Sequence, residues 1–231
     1  MQISVIATLK NNHIIKCRVS KGSHINYCYI YVDLSTKDAV LIDPAWEENE
    51  IHKVICKYGA NVAAVLVTHH HYDHLNLATA MSTYYDCPVV ISEVEYQTYK
   101  LEFDHKRLLT SESTFLIAEI SILPIFTPGH TAGSTCYLID NSLFTGDTLF
   151  NEGAGACSGQ GGDAKMMFAS FERLKSELFD DTRIFPGHRF KSELGLTFEK
   201  IKDLNIYLQF DREDIFVEFL TRKTLRFHSF I

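Results

Sequence analysis

A layered α/β fold of mixed topology is what this 231-residue sequence predicts, and three features carry the prediction. Short strand-like segments come in clusters with helix-like segments between them, the alternation that builds sheets covered by helices. Residues 62–68 form an almost wholly apolar run of strand length, the pattern of a strand buried on both faces. Apolar residues make up 46% of the chain, enough at this length for a large core without disulfide staples.

Segments 3–8, 14–19, 25–33 and 39–43 are rich in branched and aromatic residues and read as strands; Tyr27, Tyr29 and Tyr31 alternate with Cys28 and Ile30. Asp43-Pro44 breaks that pattern. Residues 47–58 read as a helix, because Ile51, Val54, Ile55 and Tyr58 recur at helical spacing and Gly59 follows as a stop. Glu47, Glu48 and Glu50 crowd its first turn, where they complement the positive end of the helix dipole. After the apolar strand come a helix over 75–85, a strand over 88–92 and a short helix over 93–101. Strands are expected over 120–126 and 135–140, with a hairpin turn at Asn141-Ser142 leading into 143–146. Five glycines from Gly153 to Gly162 mark a loop free to move over a substrate. Asp163 is placed to cap a helix whose inner face is Met167, Phe171, Leu174 and Leu178. A last strand is expected over 183–185, and one or two helices over 197–220. No linker, low-complexity tract or repeat interrupts the pattern, so residues 1–231 are expected to form one domain.

Composition excludes several classes. The formal charge of −7, from 22 basic and 29 acidic residues, argues against a nucleic-acid partner. Six cysteines without any C-x-x-C signal neither a zinc knuckle nor a disulfide framework. The opening MQISVIATLKNN lacks a basic n-region and cleavage site, and no apolar run reaches ~18 residues, so a cytoplasmic protein without a membrane partner is expected.

Histidine usage is the informative departure. Of eleven histidines, His69, His70, His71 and His74 fall within six consecutive positions. The segment Thr68-His69-His70-His71-Tyr72-Asp73-His74 follows the apolar strand, at the kind of strand end where α/β sites cluster. In an extended backbone residues i and i+2 point the same way, so His69 and His71 can converge on one ion. Asp73 and His74 are turned elsewhere and can reach a second. Thr127-Pro128-Gly129-His130-Thr131, Phe144-Thr145-Gly146-Asp147-Thr148 and Phe185-Pro186-Gly187-His188 each end a strand with one more potential ligand. Imidazole and carboxylate donors suit zinc first, with iron or manganese as alternatives.

In these motifs the sequence resembles the metallo-β-lactamase superfamily, and within it the glyoxalase II-like thioester hydrolases. The resemblance implies a four-layer αββα sandwich with the site at one sheet edge and two divalent metal ions. By it His69, His71 and His130 would hold one ion, Asp73, His74 and His188 the other, and Asp147 would bridge the two. Asp43 matches an acidic residue that supports ligands rather than binding metal. Glyoxalase II-like enzymes usually carry a G-C-G-R segment whose basic residue helps hold glutathione, whereas the loop here reads Gly155-Ala156-Cys157-Ser158-Gly159-Gln160-Gly161-Gly162-Asp163, without Arg. Glu199 and Asn205-Ile206-Tyr207-Leu208 echo a short E…N-P-Y-L segment with Ile206 in place of Pro. This pattern is similar to small hydrolases that accompany trans-acyltransferase polyketide synthase clusters.

A water between two cations is deprotonated near neutral pH, since bound metal lowers its pKa from 15.7 to roughly 7. The expected reaction is attack of that bridging hydroxide on an acyl thioester, with Asp73 as the catalytic residue that holds metal and orients the nucleophile. No acid beyond Asp73 is apparent, and a thiol of pKa about 8.5 leaves without one, so a thioester suits the site better than an amide. The acyl group would ride on glutathione, coenzyme A or an acyl carrier protein; Arg222, Lys223 and Arg226 read first as a solvated tail, with a basic docking patch as the alternative. A lactonase or other carboxylic ester hydrolase uses the same ligand types, and an iron-dependent sulfur dioxygenase is the alternative from another class. A β-lactamase often places another residue where Asp147 stands, nucleases need extra gripping segments, and a non-catalytic metal scaffold is the blandest alternative. His70 is expected to face away from the metals. His13, His24, His52, His105 and His228 lack a partner pattern, Tyr72 lies at the pocket mouth or merely ends a strand, and Cys157 is expected to be a structural thiol.

Overall fold

The structure, a computed structural model, describes residues 2–9 and 12–227. Its first sheet takes strands β1 (Gln2–Leu9), β2 (Asn12–Lys21), β3 (His24–Asp33), β4 (Asp38–Ile42), β5 (Asn61–Leu66), β6 (Val89–Ser92) and β7 (Lys106–Leu109) in sequence order. Neighbours β1 to β4 are antiparallel, and β4 to β7 are parallel. The second sheet contains β8 (Phe115–Ile117), β9 (Ile120–Phe126), β10 (Thr135–Ile139), β11 (Ser142–Gly146), β12 (Arg183–Pro186) and β13 (Leu196–Thr197), with only β11 and β12 parallel.

Helices α1 (Glu48–Tyr58), α2 (Tyr72–Leu75), α3 (Ala78–Tyr85) and α4 (Glu93–Thr98) belong to the first half. The second half supplies α5 (Ala164–Glu177), α6 (Phe198–Leu204) and α7 (Glu213–Phe227), with a 3-10 turn at Ile206–Gln209. Three stacked apolar layers show the four-layer order. Ile51, Val54, Ile55 and Met81 of α1 and α3 pack on Ile15, Val65 and Ile91 of the first sheet. Tyr29, Ile42, Leu66 and Val90 face Ile122, Tyr137, Phe144 and Phe185 between the sheets. Met167, Phe171, Ile201 and Phe216 cover Ile125, Leu143 and Ile184 on the far side. The expected αββα sandwich is therefore present.

Polar ties between the sheets lie at the strand ends that carry the site. Tyr29 donates to the Pro186 carbonyl at 2.6 Å, Tyr137 to the Val67 carbonyl at 2.9 Å, and the Tyr27 amide to the Gly187 carbonyl at 2.8 Å. Cross-sheet geometry is thus fixed beside His69 and His188.

Local signals hold well where they are chemical. Gly59 closes α1 in a left-handed conformation (φ 57°), and Asp163 caps α5 by accepting from the Lys165 and Met166 amides at 2.8 and 3.2 Å. Several boundaries differ: β5 ends at Leu66 rather than Thr68, and α4 at Thr98 rather than Leu101. The helix expected over 75–85 is broken at Asn76-Leu77, where the Asn76 amide group donates back to the Tyr72 carbonyl and its oxygen accepts from the Trp46 amide. The hairpin turn falls on Asp140-Asn141, because Ile139 pairs with Ser142 and Asp140 takes the left-handed backbone (φ 51°). Strands β7 and β13 arise from pairing with β6 and β12 across intervening segments, and β8 from a tight hairpin with β9 in which Ile117 pairs with Ile120. The tail is three pieces, α6, the 3-10 turn and α7, because Asn205 caps the middle one by accepting from the Tyr207 amide.

Candidate metal centre

Four segments that follow strands of the two sheets deliver the candidate ligands to one edge. His69 and His71 follow β5, and His71 is the last extended residue (φ −59°, ψ 141°) before α2 carries Asp73 and His74. His130 follows β9, Asp147 ends β11, and His188 follows β12. Among the described residues, three groups have ligand atoms within 4.8 Å of one another: His69 with His71 and His130, His69 with His74 and Asp147, and Asp73 with His74 and His188. All seven predicted residues therefore meet.

In the first group, His71 Nδ1 lies 3.0 Å from His69 Nε2 and 2.9 Å from His130 Nε2. A tetrahedral ion with bonds of about 2.1 Å sets donors roughly 3.4 Å apart, close to this spacing. In the group of Asp73, His74 and His188, the second ligand group, His74 Nε2 and His188 Nε2 lie 3.6 and 3.4 Å from Asp73 Oδ2. Asp147 touches both groups: Oδ1 is 3.3 Å from His74 Nε2, while Oδ2 is 3.2 Å from His188 Nε2 and 3.7 Å from His130 Nε2.

The other ring nitrogen of each imidazole sets its tautomer. His130 Nδ1 donates to the Ala156 carbonyl at 2.7 Å and His188 Nδ1 to the Ile25 carbonyl at 2.9 Å. His74 Nδ1 sits 2.9 Å from Asp43 Oδ2. That same oxygen accepts from the Thr68 hydroxyl at 2.7 Å, which leaves the hydroxyl oxygen to accept from His69 Nδ1 at 3.0 Å. Asp43 Oδ1 accepts the Thr68 amide at 2.8 Å. One carboxylate, itself buried and in a left-handed backbone (φ 51°), thus orients an imidazole in each group. His69, His74, His130 and His188 all turn Nε2 inward; His71 alone presents Nδ1.

Electrostatics divide the cluster in two. Burial, then neighbouring imidazoles, hold His69 well below the usual histidine range and bring His71 down to about 4. Burial also lowers His130. Burial opposes charge on His74 as well, but Asp147 and then Asp43 outweigh it and lift His74 to about 10. Asp147 and then Asp73 likewise outweigh burial to raise His188 to about 11. Against their own burial, Asp147 is held well below the usual carboxylate range by His188 and His74, and Asp73 is lowered by His188. The donor set fits a divalent cation: His74 Nε2 and Asp147 Oδ1 are buried, face each other and have no hydrogen-bond partner, which a cation between them would supply.

His70 points away, as expected. Its Nδ1 and amide both meet Glu95 Oε1 at 2.7 Å, and its ring stacks on Tyr99 at 3.4 Å between centroids. His52 bonds Tyr85 and His24 stacks on Trp46, so neither joins the centre. Tyr72 is exposed at the rim, with its ring edge toward Trp46. Burial pushes the Cys157 thiol up to about 12, consistent with an inert structural thiol. Arg222 pairs with Glu218, while the side chains of Lys223 and Arg226, and all of His228, lie outside the described residues.

Two of the loop glycines are demanded by close approach. A Cβ on Gly155 would fall 2.0 Å from the Asp147 carbonyl oxygen, and one on Gly161 would fall 2.3 Å from Tyr99 Oη. The loop is tied by His130 to Ala156 and by Tyr99 to the Gln160 carbonyl at 2.7 Å. Thr68, Glu95 and Asn205 were missed as supporting residues. Thr68 had only its place before His69 to mark it, Asn205 only its echo of a short motif, and Glu95 only the Ser92-x-x-Glu95 capping pattern.

An αββα sandwich with paired histidine and aspartate groups at one sheet edge is a divalent-metal protein of hydrolase architecture. Residues 23–188 match the family model described as the metallo-beta-lactamase superfamily, and the chain belongs to that family. It is 38% identical over 211 residues to the probable polyketide biosynthesis zinc-dependent hydrolase PksB of Bacillus subtilis, covering 91% of this chain and 93% of that protein. It is 30% identical to the cytoplasmic hydroxyacylglutathione hydrolase of Saccharomyces cerevisiae, over 78% of this chain and 69% of that one. Among solved structures, ETHE1 from Myxococcus xanthus superposes with a TM-score of 0.79 at 25% identity, covering 89% of each chain.

Proposed function

We propose that this chain is a two-metal hydrolase of acyl thioesters, with an acyl carrier in polyketide biosynthesis as its source of substrate. The observation that carries the reading is the sharing of Asp147 between the two ligand groups, at 3.2 to 3.7 Å from three imidazoles. His69, His71 and His130 would hold one ion, Asp73, His74 and His188 the second, with Asp147 common to both. Zinc is the proposed metal, in line with the name carried by PksB and by BaeB of Bacillus velezensis, 39% identical over 198 residues.

Two divalent cations, when bound, supply a water acidified to near neutrality and a Lewis acid for a carbonyl oxygen. The protein supplies the rest. Asp147 is buried, whereas the Asp73 side chain keeps 25% exposure and so faces both the second ligand group and solvent. Asp73 is therefore the carboxylate placed to accept a hydrogen bond from an attacking water and orient it toward an incoming carbonyl. Asn26 donates to the Asp73 backbone carbonyl and so anchors α2 beside the site. The sulfur leaves as thiolate, which asks no general acid of the site.

Loop 153–163 contains no Lys or Arg, and His130 bonds its Ala156 carbonyl, so this segment offers no cation to a glutathione carboxylate. That favours coenzyme A or a carrier-protein phosphopantetheine over glutathione. Purified, metal-analysed protein assayed on acyl-carrier-protein thioesters, acyl-coenzyme A, lactoylglutathione and lactones tests the reading. Carrier thioesters are expected to be the best substrates. A preference for lactoylglutathione would overturn the carrier assignment, and a preference for lactones the thioester itself.

A further inference from the structure

Glu95 lies on α4, outside the ligand set, yet its side chain is wholly buried. Its two oxygens are divided between the two loops that form the first ligand group. Oε1 meets the His70 amide and His70 Nδ1, both at 2.7 Å, between ligands His69 and His71. Oε2 accepts from the Thr131 hydroxyl at 2.9 Å and the Gly133 amide at 2.8 Å, in the turn that presents His130. Ser92, the N-cap of α4, grips the same turn by donating to the Gly133 carbonyl at 2.7 Å. A Cβ at Gly133 would lie 2.3 Å from the Glu95 amide nitrogen, so the turn is seated directly on the helix start.

We infer that Glu95 is a positioning residue which fixes the His69/His71 segment and the His130 turn relative to each other, and so selectively shapes the first metal site. The assignment rests on the metal-centre reading above. Its logic is one of donor count: four donors converge on a carboxylate that offers two accepting oxygens. A glutamine of the same shape has one accepting oxygen and an amide that faces donors with donors. Whichever way it turns, it releases one of the two loops. The second ligand group draws nothing from Glu95; Asp43, Ile25 and Asn26 support it instead. Groups that orient ligands are worth about 10–100-fold in metal affinity, and here that loss should be confined to one site.

The test is stepwise cobalt(II) titration of Glu95→Gln against the unsubstituted chain, followed by the visible absorption of each bound ion and by chelator competition. The expected result is a first-site affinity lowered at least ~10-fold with a changed absorption band, and a second site within about twofold of the original. Equal weakening of both sites, or of neither, overturns the inference. Should Glu95→Gln fail to fold, Glu95→Asp keeps two accepting oxygens but is one methylene too short to reach both loops; the same two outcomes decide. If the unsubstituted chain binds fewer than two ions, the metal-centre reading fails rather than the bridge. The bridge is then judged in the metal-free protein, where Glu95→Gln must speed hydrogen exchange at the Gly133 or His70 amide, and unchanged exchange at both overturns it.

Discussion

Replacing Asp43 by Asn exchanges one oxygen for an NH2 and should disable a candidate metal ligand, His74, through the ring nitrogen that faces away from the metal. In the native site Asp43 Oδ2 receives the Thr68 hydroxyl at 2.7 Å and faces His74 Nδ1 at 2.9 Å, while Oδ1 receives the Thr68 amide at 2.8 Å. An asparagine that keeps its oxygen on the Thr68 amide must turn its NH2 toward His74. His74 then accepts at Nδ1 and carries its proton on Nε2, the atom 3.3 Å from Asp147 that should bind metal. The Thr68 hydroxyl loses its acceptor too, and with it the orientation of His69, 3.0 Å away. Second-site affinity should fall about 10–100-fold, which is about 1.4–2.7 kcal/mol, and the first site should weaken less. Buried donors left unpaired cost about 1–3 kcal/mol each, so the metal-free protein should also melt earlier. Competition against a chromophoric chelator, with thermal unfolding of the metal-free form, reads both. Native affinity at both sites in a folded Asp43→Asn variant would refute the tautomer argument.

Asp147→Ala should lose bound metal and turnover together, measured by elemental analysis and thioester hydrolysis; a fully active, metal-poor variant contradicts the shared carboxylate. Metal uptake should release about two protons near neutral pH, since metal displaces protons from His74 and His188. Their raised values, about 10 and 11 against 6.5, mean that the stabilising proton is fully present below 6.5 and lost only as pH climbs through 10 to 11. Metal affinity should therefore rise with pH over that whole range, and calorimetry in buffers of different ionisation enthalpy would expose a release near zero as a contradiction. Cys157→Ser should leave turnover within about twofold, because a thiol raised to about 12 is not a nucleophile at working pH; inactivation by iodoacetamide at neutral pH, absent in the serine variant, would show otherwise. Asn205→Ala removes a buried amide that donates to the Phe150 and Gly153 carbonyls at 2.8 and 2.9 Å, and should cost about 1–3 kcal/mol in unfolding experiments; an unchanged midpoint would deny it that role.

The convergence of the seven candidate ligands is readable from sequence because their chemistry is local. H-x-H-x-D-H after an apolar strand, two Pro-Gly-His turns and a Gly-Asp each announce a side chain at a strand end, and the fold needs only to gather them. The supporting atoms were not readable, for a physical reason. Two of the acceptors that orient the imidazoles are backbone carbonyls, of Ala156 and Ile25, which carry no residue signature. Glu95 looks like any first-turn glutamate of a capped helix until the sheets bring His70 and Gly133 to it from 25 and 38 positions away. The short strands β7 and β13 are likewise defined by pairing with β6 and β12 rather than by their own pattern, and β8 by its tight hairpin with β9. The break after α2 depends on Asn76 meeting the Trp46 amide, a contact 30 residues away in sequence that no helical period can foretell.

Crystals of the zinc-loaded protein, with anomalous scattering recorded on both sides of the zinc edge, test the paired metal centre most directly. Two peaks per chain are expected, one amid His69 Nε2, His71 Nδ1 and His130 Nε2 and the other amid Asp73, His74 and His188, with Asp147 reaching both. A single peak at full zinc loading, or peaks held by other side chains, would contradict the account.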